Sequence, residues 1–273
     1  MSSSDTGSGT VSGVSIGPLE THLRARREAG HKLLLPYVTG GYPSDWPRMV
    51  EAFDQAGADA IEVSIPFSDP MMDGPTIQEA SSRALDSGVT PASILDTVST
   101  IESSVPLIAM TYYNVAFRMG HRRFAQDLSR AGMVGAILPD LPLEEVDPWA
   151  ESADWAGIET VLLAAPTGSD ERLARVCERA RGFVYAVGVV GITGERAELA
   201  ASAVSIARRL KAITDKPVIV GLGISTPAQA AEVCEVADGV VVASAIIRKL
   251  LDGEGFDAAV DFVGELRSGL DRG

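Results

Sequence analysis

The chain has 273 residues, of which 46% are hydrophobic and 22% charged, and its formal net charge is −14. Such a composition is typical of a globular protein with a sizeable core, and the acidic balance argues against binding nucleic acid or an anionic membrane. The two cysteines, Cys177 and Cys234, form no CxxC pair, and no apolar run reaches the roughly 20 residues of a membrane helix. We therefore expect a cytoplasmic protein whose thiols lie in the core.

The predicted elements begin after a Ser/Gly-rich stretch. Residues 1–17 have little to bury, which predicts a disordered N-terminal tail. A short helix is predicted from Pro18 to the stop signal at Gly30. Eight β-rich runs follow, and each is followed by a helical pattern. These runs start at residues 32, 59, 105, 134, 159, 183, 217 and 238.

This alternation of strands and helices predicts parallel strands joined by crossover helices. Eight such units in this length favour an α/β fold of the (β/α)8 TIM-barrel type, with the first helix as an extra element, over an open doubly wound sheet. No shift in composition marks a domain boundary, so we expect one barrel domain over 18–273. In such a barrel, functional residues lie where the strands end.

The second strand carries a glutamate among apolar residues, in the stretch IEVSIPFSDPMMDGP. Alternate side chains of a strand face opposite ways, so Ile61 and Val63 suit the helix side and Glu62 and Ser64 point into the barrel. A carboxylate in that position is poorly solvated, and its pKa should rise toward neutrality, as general acid–base catalysis requires. A buried structural glutamate paired with Arg or backbone donors is the alternative.

Asp73 lies on the loop after this strand, where Gly74 and Pro75 indicate the start of a helix. The loop could fold over the barrel mouth and bring a second carboxylate to the same ligand. Asp69, on the same loop, is interpreted as a turn or cap residue.

Three loops of small residues follow the last three strands, with the sequences GVVGITGE, GLGISTP and VASAI, and the first two are rich in glycine. Loops after strands 7 and 8 often bind phosphate in barrels, through backbone N–H groups and a helix N-terminus. Ordinary turn glycines are the alternative. Three such loops on consecutive units favour phosphate binding.

The positions of the lysines and histidines limit the kinds of reaction that this protein could catalyse. The four lysines, at 32, 211, 216 and 249, fall at strand starts or on helices, which argues against a Schiff-base mechanism. None of the three histidines, at 22, 31 and 121, is placed to hold a catalytic metal, so we expect no metal site. The glycine pattern GLGIS does not match a dinucleotide fingerprint. The reaction type that remains is proton transfer on a phosphorylated substrate.

Six segments together resemble the tryptophan synthase alpha subunit family: PYVTGGYP, EVSIPFSDPMMDGPTIQ, TYYN, LPDLPLEE, GITGER and GLGIS. The resemblance runs from about Pro18 to the end of the chain, and it implies cleavage of indole-3-glycerol phosphate to indole and glyceraldehyde 3-phosphate. It implies that Glu62 moves protons at indole C3 and at the glycerol hydroxyl. It also implies that Asp73 interacts with the indole N–H as charge develops there.

The resemblance extends to the binding residues. It implies a mobile lid carrying Thr193 and phosphate contacts from Gly194, Gly223, Ala243 and Ser244. It implies an indole pocket formed by Tyr37, Tyr112, Ile137, Leu163, Tyr185 and Leu222. Three departures from the family are visible: Ala243 stands where glycine is usual, Leu222 replaces a common aromatic residue, and Met71 and Met72 occupy a loop that commonly carries other residues.

The resemblance also implies a partner, a tryptophan synthase beta subunit that holds pyridoxal phosphate in an α2β2 heterotetramer. We therefore expect no cofactor in this chain. The expected docking surface surrounds the barrel mouth and includes the loop 69–74 with its two methionines, and the segments containing Pro139 and Pro142. Two other functions stay open at this point: a sugar-phosphate isomerase on a similar barrel, and a non-catalytic regulatory subunit that binds phosphate.

Overall fold

A closed barrel of eight parallel strands forms the centre of the molecule. The structure is a computed structural model that describes residues 16–188, 196–221 and 223–272. The strands are β1 Leu33–Thr39, β2 Ile61–Ser64, β3 Leu107–Met110, β4 Gly135–Ile137, β5 Glu159–Ala164, β6 Val184–Val187, β7 Val218–Gly221 and β8 Gly239–Val242. Each strand pairs with the next along the chain, and β8 pairs with β1. The predicted (β/α)8 barrel is confirmed.

Helices surround the barrel and connect its strands. Those in the described ranges are α1 Pro18–Glu28, α2 Trp46–Gln55, α3 Pro75–Asp86, α4 Pro91–Val98, α5 Tyr113–Met119, α6 His121–Arg130, α7 Asp147–Ala156, α8 Asp170–Arg179, α9 Arg196–Lys211, α10 Pro227–Cys234, α11 Ser244–Leu251 and α12 Gly255–Leu270, with a 3-10 turn at Leu143–Glu145. The extra helix α1 precedes β1, as predicted. None of these helices combines the length and apolar character needed to span a membrane.

Alternate residues of the strands belong to two different layers of the hydrophobic core, as the sequence pattern predicts. Ile61 and Val63 belong to the outer layer between the strands and the helices, and Leu33 and Leu35 belong to the inner layer inside the barrel. Cys177 and Cys234 are buried free thiols, as predicted. Most of the predicted tail, 1–17, lies outside the described residues, so the division into a tail and one domain stays a prediction.

Helix α1 closes the amino end of the barrel. Leu19 and Leu23 pack into the inner core. The carboxylate of Glu159, at the start of β5, accepts the N–H groups of Leu19 at 2.6 Å and Glu20 at 3.1 Å. These N–H groups belong to the first helical turn and have no acceptor within the helix, so the negative charge is well placed there. With this end closed, the cavity can open only at the carboxyl ends of the strands.

Candidate active site

Glu62 points into the barrel from the middle of β2. It is fully buried, and its register partners are Tyr37 on β1 and Ile108 on β3. Among the described residues, neither carboxylate oxygen has a hydrogen-bond partner. Burial raises the pKa of Glu62 to about 8. The structural alternative, a glutamate tied to Arg or to backbone donors, does not match this environment, whereas proton transfer near neutral pH does.

Asp73 lies on the loop between β2 and α3, and its backbone is well held. Its N–H donates to the carbonyl of Pro70 at 3.1 Å, and its carbonyl accepts from the side chain of Gln78 at 2.8 Å. Tyr112, two residues after β3, accepts the N–H of Met72 at 2.8 Å and so ties the loop to the barrel. Burial raises the pKa of Asp73 above its usual value, and hydrogen bonding with Tyr112 opposes that rise.

One cavity of about 530 Å³ brings most of the predicted site residues together. Its lining includes Tyr37, Glu62, Asp73, Ile137, Leu163, Tyr185, Gly223, Ala243 and Ser244. Tyr112 does not line it and instead lies behind Asp73, beside two neighbouring cavities. Thr193, Gly194 and Leu222 lie outside the described residues. Burial raises the pKa of both Tyr37 and Tyr185, so these hydroxyls stay protonated and act as neutral polar groups.

The N-terminus of α11 borders the cavity on the side of β7 and β8. Ala243 precedes this helix and Ser244 begins it. The first N–H groups of a helix have no acceptor within it and favour an anion. Ala243 has φ −115°, which L residues adopt freely, so its methyl group causes no backbone strain where the family usually has glycine. This end of the cavity suits a phosphate group.

Sequence reasoning missed several apolar residues of the cavity wall. They are Ile77, Met110, Pro139, Val187, Ile224 and Val241. Met110 and Val187 are the last residues of β3 and β6, so counting inward positions along every strand would have found them. No such signal exists for Ile77 and Ile224, because they follow loops of irregular path.

These features are typical of a (β/α)8-barrel enzyme: a cavity lies at the carboxyl ends of the strands, and a buried carboxyl group suited to proton transfer faces it. Within the described ranges, no three His, Cys, Asp or Glu side chains converge as a metal site requires. The fold and this site indicate the class of protein, a (β/α)8-barrel enzyme. Comparison with known proteins identifies the family.

The family model described as tryptophan synthase alpha chain matches residues 23–263. The chain belongs to this family. The tryptophan synthase alpha chain of Thermobifida fusca is 42% identical over 262 residues, which covers 92% of this chain and 97% of that protein. That of Streptomyces coelicolor is 42% identical over 259 residues, covering 93% and 96%.

Solved structures agree with this assignment. Ligand-free tryptophan synthase from M. tuberculosis superposes with a TM-score of 0.85 at 36% identity, covering 93% of this chain and 99% of that chain. The alpha subunit from Legionella pneumophila superposes with a TM-score of 0.85 at 32% identity, covering 94% and 100%. The predicted reaction class, a carbon–carbon lyase of tryptophan biosynthesis, is confirmed. Neither the isomerase nor the non-catalytic alternative is favoured.

Proposed function

We propose that this chain cleaves indole-3-glycerol phosphate to indole and glyceraldehyde 3-phosphate with Glu62 as the acid–base group. The observation that carries the proposal is the environment of Glu62, which is fully buried, without a hydrogen-bond partner among the described residues, and faces the 530 Å³ cavity. With a pKa of about 8, the carboxyl group is mostly protonated at neutral pH and can give a proton first.

In the proposed reaction, Glu62 both donates a proton and recovers one. Protonated Glu62 gives its proton to C3 of the indole ring, which leaves positive charge on the ring nitrogen. The carboxylate of Asp73 stabilises that charge through the indole N–H. The bond between C3 and the glycerol chain breaks, and its electrons restore the indole ring. Glu62, now a carboxylate, takes the proton of the glycerol hydroxyl as the aldehyde forms, and so returns to its protonated state.

Substrate binding divides between the two ends of the cavity. Near β7 and β8, the backbone at Gly223, Ala243 and Ser244 holds the phosphate, with Gly194 from the preceding loop. The indole ring lies against the wall formed by Tyr37, Ile137, Leu163 and Tyr185. The family resemblance adds Leu222, which lies outside the described residues. Tyr112 contributes through the loop that carries Asp73. Thr193 provides the hydroxyl of a lid that closes over the bound substrate.

The partner is a tryptophan synthase beta subunit, in an α2β2 assembly that works in the cytoplasm. The exposed side chains of Met71 and Met72 support this proposal, because they present apolar surface on the loop that borders the cavity. Pyridoxal phosphate belongs to the beta subunit. No lysine lies among the described residues that line the cavity, and this cofactor is normally held by a lysine.

An indole-release assay tests the proposal. The purified chain is incubated with indole-3-glycerol phosphate, alone and with a matching beta subunit, and a phosphoribosyl substrate is used in parallel. We expect slow indole release from the chain alone, faster release with the partner and no turnover of the phosphoribosyl compound. Failure to release indole under both conditions would contradict the proposed function.

A further inference from the structure

A second, much smaller cavity lies behind Asp73. Its volume is about 20 Å³, and it shares four lining residues with the active-site cavity: Tyr37, Asp73, Met110 and Pro139. The residues around it include Tyr37, Ser64, Ile65, Phe67, Asp73, Ser81, Thr111 and Tyr112. A cavity holds one water molecule when its volume exceeds roughly 10–15 Å³ and it offers two to four polar partners. This cavity meets both conditions.

Ser64 is the polar group here whose hydrogen bonding is incomplete. The residue is only 6% exposed, and its hydroxyl, although it lies beside that of Tyr37, has no hydrogen bond of good geometry among the described residues. Thr111, in contrast, donates its hydroxyl to the carbonyl of Ile65 at 2.9 Å. A buried hydroxyl without a partner costs free energy, so a water molecule bound to Ser64 satisfies a group that the protein leaves unpaired.

We propose that Ser64 is a positioning residue for Asp73, acting through one ordered water molecule in this cavity. The proposal rests on the catalytic role proposed for Asp73. The backbone of Asp73 is fixed by Pro70 and Gln78, and its carboxylate hydrogen-bonds with Tyr112. A water held by Ser64 donates a second hydrogen bond to the carboxylate and limits its rotation, which keeps it oriented for the indole N–H.

The position of Ser64 on β2 links the orientation of Asp73 to the strand that carries Glu62. Glu62 and Ser64 stand two residues apart on the inward face of the same strand. The strand that carries the acid–base group therefore also carries the group that orients the second carboxylate. Any movement of the loop relative to β2 is resisted by the water bridge, so the two carboxylates keep one relative geometry.

Ser64→Ala tests the proposal because it removes the hydroxyl and adds no volume. We expect kcat for indole release to fall roughly three- to tenfold, the effect of one lost hydrogen bond, while KM stays within about twofold because the phosphate contacts are unchanged. Thr160→Val is the matched control: Thr160 is also buried, and its hydroxyl also lacks a described partner, but it does not line the cavity. Its kcat should equal that of the parent.

A double-mutant cycle separates this proposal from the proposed function. If Asp73→Asn leaves the activity unchanged, the role of Asp73 is wrong. If Asp73→Asn removes most activity, Ser64→Ala should have no further effect in that background, because Ser64 acts only through Asp73. Independent losses in the two variants would overturn the positioning role while leaving the function intact.

A crystal structure of the unmutated protein provides a readout that does not depend on any variant folding. At a resolution that shows ordered water, we expect a single peak within hydrogen-bond distance of both Ser64 and Asp73. The same peak should be absent from Ser64→Ala. A dry cavity in the unmutated protein would overturn the proposal.

Discussion

Gly221, the last residue of β7, packs directly against the ring of Tyr185 on β6. A Cβ atom built on Gly221 would overlap Cε1 and the hydroxyl oxygen of that ring. Both residues line the active-site cavity. The absence of a side chain at Gly221 therefore allows the Tyr185 ring to take its position in the cavity wall.

We predict that Gly221→Ala displaces the Tyr185 ring into the space for the substrate. We expect kcat/KM for indole release to fall roughly 10- to 100-fold, because small misplacements in an active site are costly. Overpacking should also lower stability by about 1–3 kcal/mol. Gly264→Ala on α12 is the control, since the added methyl group meets open space there. Equal activity of the two variants would contradict the argument.

Glu62→Gln should remove the chemistry and spare binding. Gln fills the same space but cannot exchange the proton, so we expect kcat to fall on the order of 10²–10⁴-fold. Affinity for a non-cleavable phosphorylated analogue should change little, because the phosphate is held at the other end of the cavity. Steady-state kinetics and calorimetric titration measure the two effects. Near-normal turnover would rule out Glu62 as the acid–base group.

The same substitution should change how stability depends on pH. Burial raises the pKa of Glu62 from its usual 4.5 to about 8. Between these values the unfolded chain releases the proton and the folded protein retains it, so this residue makes folding less favourable as pH rises and reaches its full effect above about pH 8. The full effect is at most roughly 4–5 kcal/mol. Glu62→Gln removes it.

Thermal unfolding of both proteins from pH 5 to pH 9 checks this dependence. The Tm of Glu62→Gln should match the parent near pH 5 and exceed it increasingly toward pH 9. Other titrating groups are shared, so the difference isolates Glu62. A constant difference across the range would show that the pKa of Glu62 is not raised.

The fold and the position of Glu62 were accessible from the sequence because periodicity encodes them. A strand alternates its faces, so the order Ile61, Glu62, Val63 places one carboxylate inside the barrel. The position of the loops after β7 and β8 beside the cavity could be predicted for a related reason, because the place of each loop in the barrel follows from counting the units.

The contacts around Asp73 could not be predicted from the sequence in this way. Tyr112 was predicted to line the indole pocket, but it precedes α5 and lies behind Asp73, where the loop path determines its contacts. The small cavity beside Ser64 is formed by segments far apart in sequence. Irregular loops and cavities between distant segments depend on three-dimensional packing, which no local pattern records.

The last prediction concerns docking of the beta subunit. On the loop that borders the cavity, Met71 is 90% exposed and Met72 is 60% exposed, and such apolar surface beside a site favours an interface. We predict that Met71→Asp weakens binding of a matching beta subunit by at least about tenfold, because a charge would be buried without a partner. The increase in lyase activity on mixing should fall in parallel.

Ile213→Asp is the matched control for this prediction. Ile213 is also an exposed apolar residue, at 38%, but it lies just before β7 at the amino end of the barrel. Size-exclusion chromatography and indole release, measured across a concentration series of beta subunit, compare the two variants. We expect Ile213→Asp to bind and respond like the parent. If both variants bind equally well, the docking surface does not include the loop at Met71, and the partner's effect on Asp73 must reach it from another side.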